Sequence, residues 1–283
     1  MTIKRIDIHA HLNFTAFDAD RDVVARRALD AGTAFINVGT QYDMSRKAVD
    51  IAEKYDGVYA IIGLHPIHTS ASFHDNEELG DNGNANASGF TSRGEDFDAD
   101  RYRELIKHPK VVGVGEVGLD YYRSNAEPAA KARQKAAFEA QIDLANEFNK
   151  PLMLHIREAY DDALEILKSR AEVKGNAHFF AGTVEQARRF LDIGFTLSFT
   201  GVITFAKQYA ELVEYVPLDM MHAETDCPFV APVPHRGERN EPSYVSAVVE
   251  KIAMIKKLPV ETVEAALLRN AGRVFGICGL SSS

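Results

Sequence analysis

The chain has 283 residues, of which 46% are hydrophobic and 26% are charged, a composition typical of a folded globular protein and not of a disordered chain. Its apolar runs fall well short of the roughly 18 residues that span a membrane, and the N-terminus lacks the layout of a signal peptide, so we expect no membrane partner. A formal charge of -9 disfavours a long basic groove for nucleic acid, but it leaves room for a small site that takes a strand end.

The cysteines indicate the compartment. Cys227 and Cys278 are too few for a disulfide framework and lack zinc-finger spacing. We expect a monomer in the reducing cytoplasm, or in the nucleus if the organism is a eukaryote. No partnering base is implied for Cys227, so we interpret it as a small packed side chain and not as a nucleophile.

Short β-rich runs alternate with segments of helical periodicity along the whole chain. The predicted strands are Arg5–Ile8, Ala34–Val38, Val58–Gly63, Val111–Gly115, Leu152–Leu154, Asn176–His178, Phe195–Ser198 and Met220–Ala223. The predicted helices are Asp20–Ala31, Met44–Lys54, Lys131–Asn149, Ala159–Ala171, Val184–Ile193, Ala206–Val213, Ser243–Ile255 and Val260–Val274. This alternation indicates right-handed βαβ units, and eight of them predict one α/β domain over residues 1–283, a (β/α)8 TIM-type barrel. The alternative is an open doubly wound sheet, but the dinucleotide fingerprint after the first strand is absent.

One segment interrupts the alternation. Residues His74–Asp100 are rich in Asn, Gly, Asp and Ser and have few apolar positions. Such a composition buries little surface, so we predict a flexible insertion loop. We favour a tolerated surface insertion, and a lid over the functional site is the alternative.

Titratable residues cluster where the predicted strands end, which is where a (β/α)8 barrel carries its reacting groups. His9 and His11 follow the first strand two residues apart, so in extended backbone they point the same way and can bind one metal ion. Further candidates follow the fourth, fifth, sixth and eighth strands, namely Glu116, His155, His178 and Asp226. Four histidines and two carboxylates can hold two divalent ions with one carboxylate bridging them.

A two-ion site is suited to hydrolysis, because the ions polarise the electrophile and lower the pKa of a bound water. We predict Asp226 as the general base, since a strand-end carboxylate beside the ions can accept the proton of that water. A role for Asp226 as a plain metal ligand stays open. The identity of the metal is open too, because mixed histidine and carboxylate ligands suit Mg²⁺, Mn²⁺ or Zn²⁺.

Basic residues are predicted at the same end of the barrel. His65 follows the third strand, Arg157 the fifth, and Arg236 lies in the segment after the eighth. Guanidinium groups bind phosphate oxygens in bidentate fashion, so we favour substrate-phosphate contacts for these residues. Each arginine can instead pair with a local carboxylate, and His65 can be a structural loop residue.

These residues together resemble the TatD family of metal-dependent deoxyribonucleases, which have amidohydrolase-like barrels. The matching segments are DIHAHLNF, GLHP, GEVGLDYY, PLMLHIREAYDDALEIL, HFFAG, SFTGVITF and ETDCPFVAPVPHRGERNEP, from about Arg5 to Phe275. GEVGLDYY and ETDCPF followed by RGERNEP are the specific motifs. Asn13 departs from the family pattern, in which Asp is common, and Phe179 and Ala181 alter the usual sequence of the HFFAG segment.

The resemblance implies two ions that share one carboxylate, with Glu116 and Asp226 as the catalytic carboxylates. The ligands would be His9, His11, Glu116 and Asp226 for one ion, and Glu116, His155 and His178 for the other. His65 and Arg236 resemble contacts to substrate phosphate. The family also implies Mg²⁺ or a similar divalent ion, a DNA substrate, and removal of nucleotides from 3′ ends.

We therefore expect a metal-dependent phosphodiester hydrolase that acts on DNA, as a 3′–5′ exonuclease on single-stranded ends. The enzyme alternative is an ester, lactone or amide hydrolase on the same barrel, since a fold does not fix the substrate. The non-enzyme alternative is a binding protein that keeps the metal site without turnover.

Overall fold

The predicted alternation of strands and helices is present in the computed structural model of the chain, which describes residues 2–74, 90–122 and 127–277. The strands are β1 (Arg5–Ala10), β2 (Thr33–Val38), β3 (Val58–Ile62), β4 (Ser72–His74), β5 (Phe90–Ser92), β6 (Val111–Asp120), β7 (Leu152–Arg157), β8 (Gly175–Ala177), β9 (Thr196–Phe199) and β10 (Met221–Ala223). The helices are α1 (Arg21–Asp30), α2 (Tyr42–Glu53), α3 (Ala99–Ile106), α4 (Pro128–Glu147), α5 (Tyr160–Arg170), α6 (Val184–Asp192), α7 (Ala210–Tyr215), α8 (Val245–Lys256) and α9 (Val260–Phe275).

Eight of the strands form one parallel sheet in the order β1-β2-β3-β6-β7-β8-β9-β10. The two outer strands meet just beyond β10, where Ala10 pairs with Cys227 and the backbone N–H of Asp226 donates to the carbonyl of His9 at 2.9 Å. The side chain of Asp7 reinforces this junction by accepting the backbone N–H of Thr225 at 2.9 Å. The sheet is therefore a barrel, and the predicted (β/α)8 TIM-type fold is confirmed.

The core has two apolar layers. One lies between the barrel and its outer helices, where Phe35 of β2 packs in the same cluster as Val24 and Leu29 of α1. The other contains barrel residues such as Ile36 together with Phe275 of α9, so α9 packs against the barrel wall. The carboxyl ends of the strands, where the candidate site residues lie, are at the opposite end of the barrel from the first residues of the strands.

Two details differ from the sequence prediction. The predicted loop His74–Asp100 contains β5 and the first residues of α3, a helix that the sequence analysis did not place. Asp98 begins α3, because its carboxylate accepts the backbone N–H groups of Asp100 and Arg101 at 3.1 and 3.3 Å. The loop also includes residues 75–89, which lie outside the described residues, as does Cys278. Cys227 is a buried free cysteine, as the packed interpretation predicts.

None of the helices in the described ranges is both long enough and apolar enough to cross a membrane.

Candidate metal centre

Glu116 is the centre of the candidate site. It lies within β6, whose ten residues are all buried, and it is 3% exposed. Its Oε2 atom lies 3.4 Å from Nε2 of His9 and 3.7 Å from Nε2 of His11. Its Oε1 atom lies 2.9 Å from Nδ1 of His155 and 2.8 Å from Nε2 of His178. One carboxylate therefore faces two separate groups of imidazoles, one with each oxygen.

We name these groups by their members. The Asp226 half consists of His9, His11 and Asp226 around Oε2 of Glu116, and the His155 half consists of His155 and His178 around Oε1. The halves touch where the rings of His9 and His178 stack, with centroids 3.9 Å apart. The structure thus brings all six sequence-predicted ligands together.

The Asp226 half is built by β1 and by the segment after β10. The predicted two-residue spacing does point His9 and His11 the same way, since their Nε2 atoms lie 3.1 Å apart. Oδ1 of Asp226 lies 3.4 Å from Nε2 of His11 and 3.8 Å from Nε2 of His9. Asp226 has a φ of +55°, a strained conformation for a residue with a side chain, and such strain is common at functional sites.

The protonation of His11 follows from its neighbours. Its Nδ1 atom lies 2.9 Å from the carbonyl oxygen of Val38, which only accepts, so Nδ1 donates the hydrogen. In a neutral ring, Nε2 then carries a lone pair, and it faces Nε2 of His9 and the carboxylates of Glu116 and Asp226. Several acceptors converging on one point repel each other unless a positive charge lies among them.

The His155 half has carboxylates on both sides of its imidazoles. Behind His155, Nε2 lies 3.1 Å from Oδ2 of Asp120. Behind His178, Nδ1 lies 3.4 Å from Oε1 of Glu224, within ion-pair distance but not aligned as a hydrogen bond. The position of His155 in this half depends on a close approach of β6 to β7. Gly118 has a φ of +142°, and a Cβ atom there would lie 2.1 Å from the carbonyl oxygen of His155.

The titration behaviour of these groups reflects the same need for positive charge. Burial alone would raise the pKa of Glu116, but the histidines around it, His65 and His178 first, lower that pKa well below its ordinary value. Burial opposes charge on His178, but Glu116 and Glu224 outweigh it and raise the pKa of this imidazole well above its ordinary value. Burial lowers the pKa of the stacked His9 to about 3.

These donors fit divalent metal ions. Neutral imidazole nitrogens and carboxylate oxygens are the ligands of Zn²⁺, Mn²⁺ and related ions, and His9, His11 and Glu116 place one such atom each within 4.8 Å of one another. A cation bound among them would stabilise the lone pair of His11 and the negative charge of the inward-facing carboxylates. Without an ion, the same charge has to be carried by protons on the imidazoles.

His65 also reaches the centre. It is 6% exposed, and its Nε2 atom lies 3.3 Å from Oε1 of Glu116. Its Nδ1 atom lies 3.2 Å from the backbone N–H of Ile67, which only donates, so Nδ1 accepts and Nε2 carries the hydrogen. A protonated nitrogen cannot coordinate a metal, although it is near enough to Glu116 and His155 to be grouped with them. In this tautomer His65 points a hydrogen-bond donor into the site.

The predicted arginines lie at the same end of the barrel but outside the cluster. Arg157 is the last residue of β7, and its guanidinium carbon lies 3.8 Å from the ring centroid of Tyr122. Arg236 lies 4.0 Å above the ring of Phe205 and donates to the carbonyl of Ala231 at 2.9 Å. Within the described ranges, neither guanidinium lies within 4.0 Å of a carboxylate oxygen, so the alternative of a local ion pair is not seen there.

Arg239 behaves differently. Its guanidinium binds both carboxylate oxygens of Asp20, at 2.9 and 2.6 Å, and lies over the ring of Phe17. The hydrogen-bond donors of Arg239 therefore connect the segment after β10 to the segment before α1.

Two buried carboxylates beside the site were not among the predicted residues, namely Asp120 and Glu224, which are 2% and 0% exposed. A signal for both existed in the spacing. Asp120 lies four residues after Glu116 on β6, and Glu224 lies two residues before Asp226, which is the even spacing that places residues on one face of a regular strand. Even spacing from a ligand could have identified both as neighbours of the site.

The family model described as TatD related DNase matches residues 6–276. The chain belongs to the TatD family of metal-dependent hydrolases. It is 38% identical over 276 residues to YabD of Bacillus subtilis, an uncharacterized metal-dependent hydrolase. The aligned residues cover 96% of this chain and 98% of YabD. It is 32% identical over 280 residues to YcfH of Escherichia coli, also an uncharacterized metal-dependent hydrolase, with 96% of each chain covered.

A solved structure agrees with this assignment. The chain resembles the crystal structure of YjjV, a TatD homolog from Escherichia coli, with a TM-score of 0.81 and 26% identity over 98% of this chain and all of that one. The resemblance stated from the motifs is thereby confirmed. Hydrolysis that depends on metal follows from the family, and the candidate centre is where the side chains that could hold a metal ion converge.

Proposed function

We propose that this TatD-family hydrolase cleaves phosphodiester bonds of DNA, as a 3′–5′ exonuclease on single-stranded ends. The description of the matching family as TatD related DNase supports this proposal. The observation that carries it is a hydrolytic centre with hydrogen-bond donors suited to phosphate at the same barrel end, namely Arg157, Arg236 and the Nε2–H group of His65.

In this proposal the two halves of the centre each hold one divalent ion, and Glu116 is a ligand of both. Mg²⁺ is our first choice, with Mn²⁺ and Zn²⁺ as alternatives for the same mixed donor set. Ions bound there would supply Lewis acidity toward the phosphoryl group and toward the water that attacks it. The protein residues then have to orient the substrate, accept a proton and stabilise the charge that develops on the phosphate oxygens.

We assign proton transfer to Asp226 because it is the more open of the two central carboxylates. The side chain of Asp226 is 13% exposed and that of Glu116 is 4% exposed, so water reaches Asp226 more easily. Glu116 is enclosed by imidazoles on both oxygens and is better suited to bridging. Asp226 can act as a ligand and as the general base in turn, because its carboxylate has two oxygens, of which Oδ1 lies 3.4 Å from His11 and 3.8 Å from His9.

Substrate orientation is assigned to His65, Arg157 and Arg236. Nε2 of His65 lies 3.3 Å from Oε1 of Glu116, and a phosphate oxygen bound beside Glu116 could accept the hydrogen of this nitrogen. The two guanidiniums lie on aromatic rings, which hold their planes in place for a bidentate contact with phosphate. The net charge of -9 favours a compact site for a strand end over a groove that follows the backbone.

The alternative within the family fold is an ester, lactone or amide hydrolase. Such an enzyme needs the metal centre and a proton acceptor, but it does not need two guanidiniums at the mouth of the barrel. Activity on small esters that is higher than activity on DNA would favour it. Metal binding without turnover of any ester would favour the non-enzyme alternative.

The experiment uses metal-stripped protein and a short single-stranded DNA labelled at the 5′ end in one sample and at the 3′ end in another. Mg²⁺ or Mn²⁺ is added back to the wild type and to Asp226→Asn. We expect the 5′ label to give a ladder of shortening products and the 3′ label to be released as mononucleotide, both only with metal. Asp226→Asn should remove both signals while its circular dichroism spectrum stays unchanged.

Two results would contradict the proposal. A folded, metal-loaded wild type that leaves both labelled strands intact would contradict DNA as substrate. A ladder from the 3′ label instead of the 5′ label would contradict the polarity.

A further inference from the structure

The two halves of the centre differ in what lies behind their imidazoles. In the His155 half, Oδ2 of Asp120 contacts Nε2 of His155 at 3.1 Å, and Oε1 of Glu224 lies 3.4 Å from Nδ1 of His178. In the Asp226 half, the backbone carbonyl of Val38 lies behind His11. Nδ1 of His9, like Nδ1 of His178, has no hydrogen-bond partner among the residues that the structure describes, but of the described carboxylates only Glu116 and Asp226 lie within 4.0 Å of the nitrogens of His9. Carboxylate charge therefore lies closer to the outer nitrogens of His155 and His178, at 3.1 and 3.4 Å, than to those of His9 and His11, although Glu224 is also within 4.8 Å of a nitrogen of His9.

Glu224 is held in its position by other contacts. Its Oε1 atom accepts the backbone N–H of Phe179 at 2.6 Å, and its Oε2 atom accepts the hydroxyl of Ser198 at 2.7 Å. The amide of Asn176 donates to the same hydroxyl at 2.7 Å. Because both oxygens have donors and the side chain is fully buried, Glu224 is not free to turn toward the centre as a ligand.

Asp120 is held by its backbone. The side chain of Gln134 on α4 accepts the N–H of Asp120 and donates to its carbonyl, each at 2.9 Å. This pair of hydrogen bonds fixes the end of β6, from which the carboxylate of Asp120 reaches His155. Two rigid supports, one from α4 and one from β8 and β9, thus place a carboxylate behind each imidazole of the His155 half.

We propose that Asp120 and Glu224 are positioning residues that set the orientation and metal affinity of His155 and His178. The proposal rests on the proposed two-ion centre, in which the nitrogens that face Oε1 of Glu116 are ligands. A carboxylate that accepts a hydrogen bond from a ring N–H, as Asp120 can from His155, fixes the tautomer and restricts rotation of the ring. A carboxylate close behind a ring, as Glu224 is behind His178, makes the opposite nitrogen a stronger donor to a metal. The affinity of the His155 half for its ion therefore depends on two residues that do not touch the ion.

The test measures Mn²⁺ binding to metal-stripped protein by isothermal titration calorimetry. Glu224→Gln keeps the size of the side chain and removes its charge, and it should weaken Mn²⁺ binding about 10- to 100-fold. His178→Asn and the double variant complete a double-mutant cycle. Because Glu224 acts through His178, the double variant should bind Mn²⁺ within about threefold of His178→Asn alone.

A second cycle with Asp120→Asn and His155→Asn tests the other pair, and it decides the matter if a His178 variant does not fold. Glu241→Gln is the matched control, since Glu241 is a buried carboxylate that binds Ser243 and no imidazole among the described residues. It should leave Mn²⁺ affinity unchanged. Wild-type affinity in Glu224→Gln and Asp120→Asn, or losses that multiply within each cycle, would overturn the proposal.

The outcome does not depend on the identity of the substrate. If wild type binds Mn²⁺ and the cycles show coupling, but DNA is not cleaved, the positioning role stands and the proposed DNase activity falls. If DNA is cleaved and the cycles show no coupling, the proposed DNase activity stands and the positioning role falls.

Discussion

The Asp226 half and the His155 half share Glu116 but obtain their geometry from different sources. In the Asp226 half, two candidate ligands come from one short stretch, with His9 in β1 and His11 just after its end, and a two-residue spacing is enough to bring their Nε2 atoms within 3.1 Å. In the His155 half, the ligands come from β7 and from the residue after β8, so their approach depends on the packing of neighbouring strands. The His9–His11 pair is set by local sequence, whereas Asp226, His155 and His178 are brought in by the closure and packing of the barrel strands.

The largest effect is expected from removing what the halves have in common. Glu116→Gln keeps the volume of the side chain but removes the charge that both groups of imidazoles face. We expect turnover to fall about 1,000-fold or more, because neither ion would be held with its normal ligands. Turnover of labelled DNA and Mn²⁺ titration check this, with Glu241→Gln as the control. If Glu116→Gln kept Mn²⁺ affinity in both halves, the bridging role would be wrong.

A backbone change should disturb the His155 half alone. Gly118→Ala introduces a Cβ atom 2.1 Å from the carbonyl oxygen of His155, at a φ of +142° that disfavours any side chain. We expect Mn²⁺ affinity to fall about tenfold or more, together with a loss of stability of about 1–3 kcal/mol. Calorimetry and thermal unfolding measure the two effects.

The control for this variant is Gly276→Ala, at a φ of +64° with no heavy atom within 4 Å of the added Cβ. It should lose about 1 kcal/mol of stability and no Mn²⁺ affinity. Equal Mn²⁺ affinities in Gly118→Ala and Gly276→Ala would show that the close approach of β6 to β7 does not position His155.

Arg157 and Arg236 extend the comparison of the two halves to substrate binding, since each arginine lies in the same segment as a candidate ligand of one half. Arg157 ends β7 beside the His155 half, and Arg236 lies in the segment that follows Asp226. Replacing either with Ala should lower kcat/KM for DNA about 10- to 100-fold, as expected for a lost hydrogen bond to a charged group. Turnover of a small ester should not change.

Arg170→Ala provides the control for both, because Arg170 pairs with Asp143 on the outer face of the helices. Its kcat/KM for DNA should match that of the wild type. Equal losses on DNA and on the small ester in the Arg157 or Arg236 variant would argue against a role in phosphate binding.

The smallest effect on turnover is expected from His222, which lies outside both halves. It is fully buried, its Nε2 atom lies 3.1 Å from the hydroxyl of Thr196, and burial lowers its pKa to about 3. The fold therefore favours the neutral form of His222. The stability that His222 contributes is present above the pKa of histidine in the unfolded chain, about 6.5, and it is lost as the pH falls toward 3. Between about pH 7.5 and pH 5 this loss amounts to about 2 kcal/mol.

Urea unfolding of the wild type and of His222→Gln at the two pH values measures this contribution. The variant should show a pH dependence that is smaller by about that amount. The same dependence in wild type and His222→Gln would show that His222 is not held neutral by the fold.

The sequence was sufficient to predict the barrel and the six ligand candidates. Strands buried on both faces form apolar runs, and the histidines and carboxylates at their ends stand out against those runs. Asp120 and Glu224 were not predicted, because their role depends on which imidazole lies in front of them, and that is set by the register of β6 against β7 and by contacts of Phe179 and Ser198. The tautomers of His11 and His65 also needed the structure, since their partners are backbone groups of Val38 and Ile67.

The claim that one carboxylate joins two metal-binding halves can be tested directly by anomalous diffraction from crystals of the protein soaked in Mn²⁺. The account predicts two peaks, one among His9, His11 and Asp226 and one between His155 and His178, with one oxygen of Glu116 near each. A single peak, or two peaks of which one lies away from Glu116, would contradict it.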